Sequence, residues 1–158
     1  MSSTTKGGIR WRAVLLGWVA AFLAGFVVTP LLKALYGLLA EPPVWRGQFA
    51  LSIVVVSLLA GFLAYLVGGY VAASQARGSG GKNGATTAVL GLVLGLLLAG
   101  VLAASGVVFS AGVALPPAGF GLTRDALLAG GLLFLANLFG GYVGGKLGEP
   151  TPAAKSHP

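Results

Sequence analysis

Side chains able to do chemistry are few in this sequence, and they are badly placed for it. The three carboxylates, Glu41, Asp125 and Glu149, all fall at the ends of apolar segments. The single histidine, His157, is next to last in the chain, and the single methionine is Met1. Cysteine is absent, which removes disulfides, thiolate metal sites and redox motifs. No Ser–His pair and no carboxylate cluster supplies a nucleophile, an acid–base couple or a metal-ligand set. No long apolar segment carries the His or Met that would ligate a haem. None carries the intramembrane carboxylate typical of ion-driven carriers. The expectation is a chain that is not an enzyme, with no catalytic residue, no metal site and no cofactor.

One glycine-rich stretch invites a nucleotide reading. A phosphate-binding loop has the form G-x-x-x-x-G-K-[ST]. Around Gly81-Lys82, however, Ala76 stands where the first glycine belongs and Asn83 stands at the Ser/Thr position. Such a loop also follows a strand, whereas this one joins two apolar segments. A turn whose Arg77 and Lys82 meet anionic headgroups fits better, at ~1 kcal/mol per cation near the surface.

The segments that would position any site dominate the chain. Of 158 residues, 56% are hydrophobic and only 8% charged, against about half and about a quarter in soluble domains. Mean hydropathy is +0.93. So few charges cannot coat a soluble core, whereas a bilayer requires no such coat. The formal net charge of +7 does not indicate nucleic acid, because the cations sit at segment ends, where topology signals sit. The Ala-, Gly-, Leu- and Val-rich composition points to a bacterial source.

Four spans are expected, at about 13–35, 49–73, 85–109 and 126–147, forming one integral membrane domain. The ends, 1–9 and 148–158, are expected to be disordered. The first apolar run is too long for the h-region of a cleaved signal peptide, so retention is expected. Thr29-Pro30 predicts a kink in span one rather than its end. Residues 74–84 are read as a flexible turn. Trp11 and Trp45 mark interfaces, as amphipathic rings prefer headgroup depth. Lys6, Arg10, Arg12, Arg77, Lys82, Lys146 and Lys155 fall on one side, and Lys33, Arg46 and Arg124 on the other. Seven cations against three predict a bacterial inner-membrane protein with both termini cytoplasmic.

Residues 62–71 (FLAYLVGGYV) align without a gap on 134–143 (FLANLFGGYV), with eight of ten positions identical. Residues 13–25 match 88–100 at six of thirteen. Two copies of one helical hairpin, related by an axis along the membrane normal, are therefore expected. The fold class is all-α, a polytopic membrane four-helix bundle.

Each span carries small residues four apart: Ala13, Gly17, Ala21 and Gly25; Ala60, Ala64, Gly68 and Ala72; Gly91, Gly95, Ala99 and Ala103; Ala136, Gly140 and Gly144. Positions i and i+4 share a helix face. In lipid, helices associate by close backbone approach, which such a stripe permits. Asn137, at the position of Tyr65 in the other copy, is read as an interhelical hydrogen-bonding residue, with a polar path as the alternative. Tyr70 and Tyr142 are read as interface anchors.

The doubled hairpin with its Gly-Gly-Tyr-Val ends (Gly68 to Val71, Gly140 to Val143) resembles small, uncharacterised bacterial membrane proteins of four spans. That resemblance implies a membrane location and assigns no functional residue. The second copy departs from the first at Gly144-Gly145-Lys146. The function expected is that of a structural or accessory subunit, binding other membrane proteins or itself as a homo-oligomer through small-residue faces. The alternative is a small transporter or pore for a neutral or hydrophobic solute.

Overall fold

The computed structural model describes residues 8–39, 51–76, 78–104 and 124–150. Its helices are α1 (Trp11–Leu39), α2 (Leu51–Ala76), α3 (Gly80–Ala104) and α4 (Arg124–Leu147). All regular structure among the described residues is helical, as it must be if apolar segments are to satisfy their backbone groups internally. Each helix is long and apolar enough to cross a membrane. α1 continues through Pro30 without ending there.

The helices form a bundle in which α2 touches α1, α3 and α4. α3 also touches α1 and α4, while α1 and α4 do not meet among the described residues. α2 and α4 run side by side in the same direction, and Gly69 meets its repeat equivalent Gly141 at their crossing. A strict two-fold would give α1 and α4 the contact that α2 and α3 make, so the bundle is skewed towards the α2–α3 diagonal.

The packing is inverted relative to that of a water-soluble protein. Among the described residues the buried hydrophobic side chains are alanines, Ala13, Ala21, Ala60, Ala64, Ala72, Ala73, Ala76 and Ala88, together with Val14. The bulky side chains lie outside, with Phe26 at 76% exposed and Leu96 at 65%. Lipid makes that surface cheap, and small interior residues let the backbones close in.

The 74–84 turn is shorter than its composition suggests. α2 runs to Ala76 and α3 already begins at Gly80, with Arg77 outside the described residues. Gly78 (φ 144°) and Ser79 (φ 52°) make the reversal; a φ of that sign is ordinary for glycine and unusual for serine. Gly80, Gly81 and Gly84 are helical because α4 lies against them: a Cβ on Gly84 would strike the carbonyl of Gly141, and one on Gly80 that of Gly145. Glycine here serves contact rather than flexibility.

Further along, the same two helices part. Gly95 and Gly100 of α3 and Gly130 and Gly131 of α4 have no neighbour within 4 Å of where a Cβ would stand. Among the described residues, the bundle is therefore closed at the end holding both described chain ends and open at the other. Gly141→Ala should lower unfolding stability in detergent by about 1–3 kcal/mol, and Gly130→Ala by no more than about 0.5 kcal/mol. Denaturant titration followed by circular dichroism measures both, and equal effects would contradict the closed-end packing.

Candidate functional site

The closed end is secured by polar groups that come from three places in the chain. Asn83 is fully buried, and its Oδ1 accepts the backbone N–H of Arg10 at 2.8 Å. Its Nδ2 donates to the Ser79 carbonyl at 3.0 Å. The Thr87 hydroxyl, also fully buried, donates to the Asn83 carbonyl at 3.0 Å. Asn83 thereby ties the start of α1 to the turn that starts α3. Nothing in its local pattern announces this role, because GGKNG reads as a turn and the partner lies 73 residues away.

Glu149 holds the same end from the C-terminal side. Gly80 N–H donates to its Oε1 at 2.7 Å, satisfying one of the free donors at the α3 N-terminus. Lys146 Nζ lies 3.1 Å from its Oε2. Disorder was expected from Gly148 onward; instead Gly148 N–H bonds Gly144 and Glu149 caps a neighbouring helix. The bond from Lys146, then that from Gly80, holds the Glu149 carboxyl below its usual range despite partial desolvation.

The stripe residues do not all behave alike. Gly17 and Gly68 bring α1 and α2 together, with Ala21 and Ala72 beside them. Gly25 meets Ala64 at ordinary contact distance. Gly140 and Gly144 set α4 against the carbonyls of Phe62 and Leu66, and Ala136 is half-buried between them and the open end. Gly91 accommodates the Tyr65 hydroxyl, with Trp18 beyond it. Gly95 departs from the expectation, since it is exposed with no helix against it. The side chain of Ala99 lies outside the described residues, as does Trp45. Of the anchors that are described, Trp11, Tyr70 and Tyr142 are exposed at the closed end, at 62%, 51% and 46%.

Asn137 makes no hydrogen bond to any described residue. Its Oδ1 is buried without a partner and fills the space where a Cβ on Gly61 would stand. The interhelical bond expected of it is absent among the described residues, because the α2 position it faces is a glycine. Together with Tyr65 it lines a cleft of about 260 Å³ between α2, α3 and α4. A second opening, a groove of about 700 Å³, separates the outer parts of α1 and α2. Its floor is Ala21, Gly25, Ala60, Gly61 and Ala64, and Trp18, Phe22 and Phe26 rise along one wall. No group of three or more His, Cys, Asp or Glu that could hold a metal occurs among the described residues.

Four long apolar helices with their bulky side chains turned outward and small ones inward define a multi-pass integral membrane protein. No family model, no curated protein and no solved structure matches the chain.

The sign of the Glu149 effect follows from its lowered pKa. Its stabilising contribution is complete above the ordinary carboxylate range and is lost as pH falls through the folded-state value. Wild type should unfold at a higher temperature than Glu149→Gln near neutral pH, and the gap should narrow and close as pH falls below the ordinary carboxylate range. Thermal unfolding in detergent across pH checks this, and a gap that persists at low pH would contradict the capping role.

Proposed function

We propose that this protein is a non-catalytic accessory component of a membrane assembly, and that it receives an apolar helix of a partner, or of a second copy, in the groove between α1 and α2. The observation that carries the reading is the make-up of that groove. Its floor consists of small residues from both helices, and its wall is a row of stacked aromatic rings. Trp18 and Phe22 have ring centroids 6.1 Å apart, and Phe22 and Phe26 6.3 Å.

Such a surface suits a helix. Lipid gives no hydrophobic reward for joining two helices, so association depends on close approach and dispersion. Alanine and glycine on the floor permit the approach, and the rings supply area. The small-residue faces towards the closed end are taken up inside the bundle: Gly17 with Gly68, and Gly140 and Gly144 with α2. The basic end fits a cytoplasmic orientation in a bacterial inner membrane, with Arg10, Arg12, Lys82 and Lys146 around it. No nucleic-acid role is assigned to these charges. The hairpin repeat accords with an origin by duplication.

The test is capture from native membranes together with native mass spectrometry in nanodiscs. Wild type should carry a partner or a second copy, and Gly25→Leu should release it. A Cβ at Gly25 meets only Ala64, at 3.6 Å, so the variant should fold while its side chain fills the groove. A wild-type protein that is a lone monomer, with nothing retained beyond a mock purification, would overturn the reading.

A further inference from the structure

The cleft between α2, α3 and α4 is smaller than the α1–α2 groove and is bordered by Asn137. Most of its lining is apolar or glycine, including Gly91, Gly95 and Gly130. Two polar side chains also face it, Tyr65 from α2 and Asn137 from α4. Neither forms a hydrogen bond with a described residue. Both lie deep: Asn137 is ten residues before the end of α4 and Tyr65 eleven before the end of α2. At ~1.5 Å per residue, each is roughly 15 Å from the closed end, about half the hydrocarbon thickness.

Polar groups at that depth are costly if they face hydrocarbon. The Asn137 amide lies against Gly61, its oxygen has no hydrogen-bond partner, and the side chain borders the cleft. The Tyr65 hydroxyl rests on Gly91, where any side chain would displace it. An amide and a hydroxyl therefore converge on a space of about 260 Å³, far above the ~10–15 Å³ that one water needs. An acyl chain would fill the apolar part and leave both groups unpaired. Water, or a neutral solute of similar size, pairs with both.

The described residues block the cleft at the closed end. Towards the closed end, Gly84 with Gly141 and Gly80 with Gly145 bring the backbones of α3 and α4 into contact, and Gly69 closes on Gly141 from α2. No channel for water remains between these backbones. Towards the other end, Gly95 and Gly130 have open space before them.

We propose that this cleft is a water-filled pocket, blocked at the end of the bundle that holds the described chain ends, that binds small neutral hydrogen-bonding solutes at mid-membrane through Tyr65 and Asn137. It does not depend on the accessory role and occupies a different face from the α1–α2 groove. It specifies the polar path that Asn137 presents as one alternative in the sequence.

The absence of cysteine permits a direct test. Single cysteines are placed at Gly95, which lines the cleft, and at Leu98, which is 59% exposed on the outer surface and nearer the open end. The full-length protein in sealed vesicles is treated with a charged, membrane-impermeant methanethiosulfonate, applied to each side separately. Only hydrated thiols ionise and react, so Gly95→Cys should label at least ~10-fold faster than Leu98→Cys, from the open side only. Adding Tyr65→Phe and Asn137→Leu to Gly95→Cys should slow its labelling several-fold. Because Gly95 faces open space, the single variant should fold even if the triple one does not. Labelling at Gly95 no faster than at Leu98, labelling equally from both sides, or a rate indifferent to loss of the polar pair would overturn the proposal.

Discussion

Contact between helix backbones at glycine is the constraint on which the rest of this structure depends. At the closed end, Gly84 meets Gly141, Gly80 meets Gly145, and Gly69 meets Gly141, so α2, α3 and α4 converge with almost no side chain between them. In lipid, apolar burial rewards no particular pairing of helices, and these approaches supply the dispersion contacts that do. The geometry also favours Cα–H···O contacts, which recur where helices cross closely. Asn83 and Glu149 then fasten α1 and the C-terminal turn onto the same end. The bundle is rigid where the backbones touch and open where they do not.

Two openings flank α2. The α1–α2 groove is floored by small residues and walled by aromatic rings, with Thr29, Ser57 and Tyr65 also in its lining. The α2–α3–α4 cleft is narrower and carries Tyr65 and Asn137. Tyr65 and Gly61 stand at the boundary of both, Tyr65 as a lining residue of each and Gly61 backing onto Asn137.

Much of the fold was legible in the sequence. Apolar runs with charges only at their ends account for the four membrane-length helices among the described residues. The i, i+4 stripes include Gly17, Gly68, Gly140 and Gly144, where α1, α2 and α4 approach one another closely. Three misreadings have a common cause. GSGGKNG reads as a flexible loop because glycine ordinarily breaks helices in water, yet here Gly80, Gly81 and Gly84 are helical to admit α4. Glu149 reads as part of a polar tail, yet its partner is a backbone donor 69 residues away. Gly95 continues the α3 stripe, yet the taper leaves it without a neighbour. Periodicity shows which face a residue occupies but not how far along the helix its neighbour stays, and no local pattern marks a long-range cap.

The taper is tested most directly by pulsed electron–electron distances between spin labels on α3 and α4 in nanodiscs. One pair sits at Lys82 and Lys146, both exposed at the closed end, and the other at Leu98 and Leu128, both exposed towards the open end. The account predicts a short, narrow distribution for the first pair and a longer one for the second. Equal separations at the two ends would show that the helices run parallel throughout, and would contradict a bundle closed by glycine at one end.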